Sequence, residues 1–443
     1  MEGAADLVLA DGWRFIHGGD TVDKGGAVGG SIRVVRTLVR LKRKYPSRVV
    51  LLLGNRDINK MRFTSEMQSS SKYFRRENVT PPPWVKVSPD LYLRRILAKS
   101  QSESSGVEVK PEDIGEEAIA RADTLPARMR YLFKETMGAD GQFERLKAEI
   151  ALLKEAASTT AESSSGSSKG GRPSTPRTHP KVTDDEVVKH IIGSVLPGGY
   201  MRELLQVGQL GFIHHDIIFV HGGLVGGPWK GSDDPEHADH DCFGYVPGMV
   251  GERINDAVTW IERLNGWKQA QLEDWHRTPF WHAPNTPGDP PSRGGDALMA
   301  YVAPGCLPSV VMGRHLDKRG MPELMPQHLV SKLNACGITK LAVGHTPHGN
   351  APTLLKTGAA DGQGAGIVVV MADTSYSDMK TSDQRGAAVS EVIFSSDGSV
   401  HVHGKLQDER KIAFSMQGDG TENMGVGLPA FTLPAAPATS PSA

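Results

Sequence analysis

Four short stretches pair glycine with a side chain of metal-ligand type: Gly19-Asp20, Gly54-Asn55, His221-Gly222-Gly223 and Gly344-His345. Each directly follows an apolar run. One carboxylate, one amide oxygen and two imidazoles make a sound donor set for a divalent first-row ion. Singly, each pair is ordinary turn chemistry, because Gly-Asp and Gly-Asn are common turn residues. Their joint occurrence points to a shared metal site at Asp20, Asn55, His221 and His345.

Such a site requires strands that end together, and in αβ sheets ligands gather at the carboxyl ends of strands. Trp13–His17 (WRFIH) reads as a buried strand stopped by Gly-Gly. Ser31–Lys44 places Ile32, Val35, Leu38, Val39 and Leu41 at helical spacing, and Pro46 ends it. Arg48–Leu53 (RVVLLL) is a second strand, so the first block, residues 1–62, reads as a strand–helix–strand unit with a parallel pair. Residues 63–206 read as a largely helical insertion or cap, with helical composition over Arg121–Ala157 and no comparable strand signal. Inside it, residues 158–180 are polar and of low complexity, which predicts a disordered linker. The αβ pattern returns over 207–415: strands at Asp216–Val220, Thr339–Val343, Gly366–Ala372 and Ala388–Phe394, a hairpin arm at Val400–Leu406, and a helix at about 325–336. Residues 418–443 read as a disordered tail.

Bulk composition narrows the function. The formal charge of -1 argues against a nucleic-acid binder that relies on a broad basic face. Three scattered cysteines, Cys242, Cys306 and Cys336, make a disulfide framework or thiolate zinc site a poor fit and a reducing compartment the default. Neither a secretory leader nor a bilayer-spanning apolar run is evident, so the expectation is a soluble cytoplasmic protein with no membrane partner.

A family resemblance follows from the motifs. GGDTVDKGG (Gly18–Gly26) resembles the GDxxDRG motif of calcineurin-like metallophosphoesterases, and LGNRD (Leu53–Asp57) is similar to their GNHD/E motif. VHGGL (Val220–Leu224) has the form used by the phosphoprotein phosphatase and diadenosine tetraphosphatase branch, and VGHTPHG (Val343–Gly349) resembles the closing GH motif. The resemblance covers the two αβ blocks and not the insertion. It implies an αββα sandwich and hydrolysis of phosphate esters or anhydrides, with in-line attack by hydroxide generated at two divalent ions (Mn, Fe, Zn or Mg). Asp20 would bridge the ions, with Asn55, His221 and His345 completing one of the two sites. Asp23 would support the ligand loop and, with Asp57 and Arg56, join the catalytic group, and Lys24 and Arg56 would bind phosphate. Tyr376 is either the counterpart of an active-site tyrosine or simply packed. The substrate would be a phosphorylated small molecule or phosphoprotein.

Two departures qualify this. Arg56 stands where the family has His; it is a poor general acid, but its guanidinium can clamp phosphate with two donors or form a structural ion pair, with Asp57 as one choice. It follows that leaving groups needing little protonation, such as anhydrides and aryl phosphates, should be favoured. The second departure is the lack of an upstream DxH motif; Asp6 and Asp11 are available, but Asp11-Gly12 reads as a turn. Either the sequence is N-terminally incomplete or the first-ion site is weakened, and His348 is better read as an exposed loop residue than as a replacement. The alternative function is therefore a non-catalytic phosphate-binding or scaffolding relative; a metal-dependent nuclease fits the neutral charge poorly. The stretch Asp233–Cys242 reads as a surface loop before a chelator, Trp229, Trp260, Trp267, Trp275 and Trp281 as cap packing, and Arg314 as a packing residue or a further phosphate clamp.

Overall fold

The computed structural model describes residues 6–23, 30–79, 82, 85–164, 180–226, 241–249, 253–283, 291–317, 319–349, 351–359, 365–374, 388–406 and 408–416. Lys24, Trp229, Tyr376, most of the Asp233–Cys242 stretch, most of the expected linker and the 418–443 tail lie outside the described residues.

The chain is a mixed α/β protein. Strand β1 (Phe15–His17) pairs in parallel with β2 (Val49–Leu51), and helix α1 (Ser31–Lys44) connects them. Helix α1 buries Ile32, Val35, Leu38, Val39 and Leu41, the spacing that puts one stripe against a sheet. Its last turn carries Lys42, Arg43 and Lys44, which suit the negative end of the helix dipole.

The chain then runs through helices only, among the described residues, until it returns to the sheet. These are α2 (Asn55–Ile58), α3 (Phe63–Glu66), α4 (Pro89–Ser105), α5 (Glu116–Ala122), α6 (Leu125–Tyr131), α7 (Gln142–Ser164), α8 (Asp184–Val195) and α9 (Tyr200–Val207). The insertion is thus helical as expected. It is not a detached cap, because Tyr92, Ile119, Phe133 and Phe143 share one continuous core with Val35 and Leu51. The linker expectation fails at its start: α7 continues through Ser164, carried by the Ala- and Glu-containing stretch after Leu153.

Gln209 bridges Leu52 in parallel and leads into β3 (Gly211–His214), so the first strand pair continues into a five-stranded sheet. That sheet has the order β3, β4 (Ile217–Val220), β5 (Lys340–Val343), β7 (Ile367–Met371), β6 (Thr353–Thr357). Strands β4, β5 and β7 are mutually parallel, while β3 and β6 run antiparallel at the edges. Helix α10 (Ala257–Arg277), with Trp260 and Trp275 fully buried, packs on β3, and α11 (Asp296–Tyr301) and α12 (Gln327–Ala335) complete the helical layer. The tryptophans at 260, 267 and 275 serve packing, as the sequence suggested.

Residues of alternate parity in the strands face opposite layers. Leu51, Ile218, Val220, Leu341, Val369 and Met371 enter the helix-side core. Leu354, Val368 and Val370 face the other way, onto an antiparallel three-stranded sheet of β8 (Ala388–Phe394), β9 (Val400–Leu406) and β10 (Lys411–Met416), meeting Val400, Val402 and Met416. The outer face of that second sheet presents Glu391, His403 and Lys405 to solvent. The three layers are therefore helices, sheet and sheet. No described helix is long and apolar enough to cross a membrane.

Candidate functional site

The carboxyl ends of β1, β2, β4 and β5 bring the four sequence-nominated residues to one edge. Asp20, His221 and His345 each offer a ligand atom, and these atoms lie within 4.8 Å of one another, the group of this kind found among the described residues. The rings of His221 and His345 meet edge to face at 5.2 Å. Asn55 starts α2 directly after Gly54, and its Oδ1 is buried without a hydrogen-bond partner.

Close backbone approach makes this possible. Gly19 has φ 93°, and a Cβ there would lie 2.7 Å from both Gly54 N and His221 Nδ1. At Gly54 a Cβ would fall inside the Asp20 carboxylate and 2.7 Å from His221 Cε1. Asp20 (φ 51°) and His345 (φ 64°) themselves adopt the left-handed region, which polar residues of this type enter at a modest cost and which clusters at functional sites.

Hydrogen bonding orders the donors. His221 Nδ1 lies 2.7 Å from Gly18 O, so it carries the proton and donates, leaving Nε2 directed at Asp20 Oδ1 at 3.3 Å. Burial opposes charge on His221, but the Asp20 carboxylate and the Gly18 carbonyl push its pKa up to about 9. Burial alone would raise Asp20; His221, Arg56 and His345 outweigh it and hold the carboxyl well below its usual range. His345 moves the opposite way, lowered to about 3 by burial and by His221, so it is neutral. Neither of its ring nitrogens has a hydrogen-bond partner. Buried polar atoms without partners are costly unless something else binds them, and here Asn55 Oδ1, His345 Nδ1 and His345 Nε2 are such atoms beside a carboxylate. That donor set fits a divalent cation.

Several nominated residues take other places. Asp57 is fully buried, and its two oxygens accept from Thr21 N and Gly54 N, both at 2.9 Å. Through these bonds it ties the Asp20 loop to the Asn55 loop. Burial and the Asp20 charge push its carboxyl up to about 7. Asp23 is also fully buried, its Oδ2 in an ion pair with Lys60, away from the ligand cluster. This pair braces the loop that follows Asp20. Arg56 does not pair with Asp57. Its Nε meets Asp20 Oδ2 at 3.3 Å, its backbone N donates to Asp20 Oδ1 at 3.0 Å, and its Nη1 donates to Met137 O at 3.1 Å. The fork expected to clamp phosphate is thus engaged within the protein.

Other residues gave little signal in the sequence. His17, at the end of β1, is lowered to about 4 by burial and by His221, and its Nδ1 accepts from Gly19 N at 3.2 Å. It props the turn that delivers Asp20. Arg314 is exposed, yet near enough to His345 to depress its pKa. The adjoining Val310 carbonyl accepts from Gly222 N and Gly223 N, which holds this segment at the site rim.

Comparison with known proteins finds no family model, no curated protein and no solved structure that matches the chain.

Proposed function

We propose that this chain is a metal-dependent phosphoesterase of the calcineurin-like kind, acting on phosphate esters or anhydrides. The observation that carries the reading is the convergence of Asp20, His221 and His345 within 4.8 Å at the ends of separate strands. The helix–sheet–sheet layering of the described residues is consistent with three of the four layers of the αββα sandwich expected of that superfamily.

A divalent ion at this point would supply Lewis acidity and activate water for attack on phosphorus. The residues divide the remaining tasks. Asp20 Oδ1, Asn55 Oδ1, His221 Nε2 and His345 would hold the ion. Gly18 O fixes the His221 ring, since a metal-binding imidazole needs its other nitrogen occupied to set tautomer and direction. Arg314, exposed beside His345, is the guanidinium available to a substrate phosphate. Arginine is a poor general acid, so with Arg56 at this place good leaving groups should be favoured.

The test is hydrolysis of p-nitrophenyl phosphate by purified protein with Mn²⁺, with an EDTA control and with Asp20→Asn. Turnover that needs metal and is lost in the variant supports the phosphoesterase reading. The second reading, a phosphate-binding relative without turnover, is favoured by the engagement of Arg56 with Asp20. It predicts Mn²⁺ binding with no hydrolysis.

A further inference from the structure

We propose that the site takes one divalent ion rather than two, because Arg56 is a built-in cation occupying the second side of Asp20. This rests on the metal reading above and narrows it. A carboxylate bridges two ions either through both oxygens or through the two lone pairs of one oxygen. Here neither route is open: Oδ1 accepts from Arg56 N at 3.0 Å and faces His221 Nε2 at 3.3 Å, which leaves it one lone pair for one ion, while Oδ2 faces Arg56 Nε at 3.3 Å.

The guanidinium is held there by more than Asp20. Nη1 donates to Met137 O at 3.1 Å and reaches Gly138 O at 3.4 Å, and the side chain is only 17% exposed. Those carbonyls lie in the turn between Leu132–Thr136 and α7, where Gly138 takes φ 59°, a conformation that suits glycine. The helical insertion thereby locks a permanent positive charge against Asp20. Arginine is the residue suited to this, being charged at all working pH values and rigid in its fork. A second ion at Oδ2 would have to displace the guanidinium and would meet its charge at close range, a repulsion that rises steeply in a shielded site.

Metal stoichiometry tests this without reference to turnover. The full chain is equilibrated with Mn²⁺, dialysed and analysed for metal, and its electron paramagnetic resonance spectrum is recorded. One Mn²⁺ per chain with an uncoupled six-line spectrum is expected. Two per chain, or a spin-coupled pair, overturns the inference while upholding the metal reading; no bound Mn²⁺ overturns the metal reading itself. Arg56→Gln removes the charge and leaves a side chain of similar reach. It is expected to bind the first Mn²⁺ about tenfold more tightly or to admit a second. Unchanged or weaker binding by a folded variant, checked by circular dichroism, would show that Arg56 is only a structural tether. If the variant does not fold, the wild-type stoichiometry still decides.

Discussion

The two sides of the site are built by different means. On the sheet side, strand ends deliver Asp20, Asn55, His221 and His345, and glycines beside them allow the loops to touch. On the insertion side no residue joins the ligand cluster, but several hold the loop that carries Asp20. Met137 Sδ accepts from Lys60, the ion-pair partner of Asp23 just ahead of the insertion, Arg145 Nη2 donates to Asp23 O at 3.1 Å, and Met137 O receives Arg56. Glu149 on α7 is fully buried and accepts from Gly30 N, Ile32 N and Arg33 N, capping α1 across more than a hundred residues of sequence. The sheet supplies chemistry and the insertion supplies position.

That division is sharpest where a buried charge is involved. Lys60 is 4% exposed, lies over the rings of Phe63 and Phe133, and is the ion-pair partner of the fully buried Asp23. Lys60→Met should leave that carboxylate uncompensated and cost about 3–5 kcal/mol of unfolding free energy by urea titration. Adding Asp23→Asn should recover much of it. A cost near zero for Lys60→Met would mean that the buried Lys60–Asp23 pair does not secure the loop. On the sheet side, His345→Ala should leave stability nearly unchanged and weaken Mn²⁺ binding by at least about 100-fold in calorimetry. Equal effects of the two changes on both measurements would erase the distinction.

The contrast also explains what was legible in the sequence. The ligands were readable because each is a local signal, an apolar run stopped by glycine and a polar residue. The central strands β2, β4, β5 and β7 were readable as continuous apolar runs. The edge strands β3 and β6 and the half-buried β10 were not, since GFIH, TLLKT and KIAFSM mix polar and apolar residues over four to six positions. The partner of Arg56 was misjudged for a helical reason. Adjacent residues on a helix point in different directions, so Asp57 turns toward Thr21 N and Gly54 N while Arg56 turns toward Asp20. Glu149 could not have been found, because nothing in FERLKAEIALL reveals that α1 lacks a side-chain cap of its own.

A pH-dependent contribution lies on the sheet side. Lys268 on α10 is 3% exposed and donates to Gly208 O at 2.7 Å and Leu205 O at 3.3 Å, closing the end of α9 just before Gln209 joins β2. Burial lowers its pKa from 10.5 to about 8. Between these values the unfolded chain holds the proton and the folded chain has released it, so this residue's contribution to stability rises with pH across that window. Below pH 8 both states are protonated, and the penalty for burying the charge is present in full. The stability of the wild type relative to Lys268→Met should therefore climb by up to about 3 kcal/mol from pH 8 to 10.5. A flat difference would mean that the amine is solvated.

The smallest expected effect tests the insertion's grip on α1. Glu149→Gln keeps the shape and one accepting oxygen of the cap but removes the charge that faces three amides at the positive end of a helix. The loss should be about 1–2 kcal/mol. Stability alone does not separate a cap from a positioning element, so Mn²⁺ affinity must be read beside it. Helix α7 carries Arg145 as well as Glu149, and Arg145 Nη2 donates to Asp23 O at 3.1 Å, so a shift of α7 bears on the loop that holds Asp20. A fall in affinity of about 3–10-fold at a temperature where the variant is fully folded would show that the insertion sets ligand geometry. An unchanged affinity with the same stability loss would confine Glu149 to holding the fold, and Met137, through Arg56 and Lys60, would then carry the insertion's influence on the site.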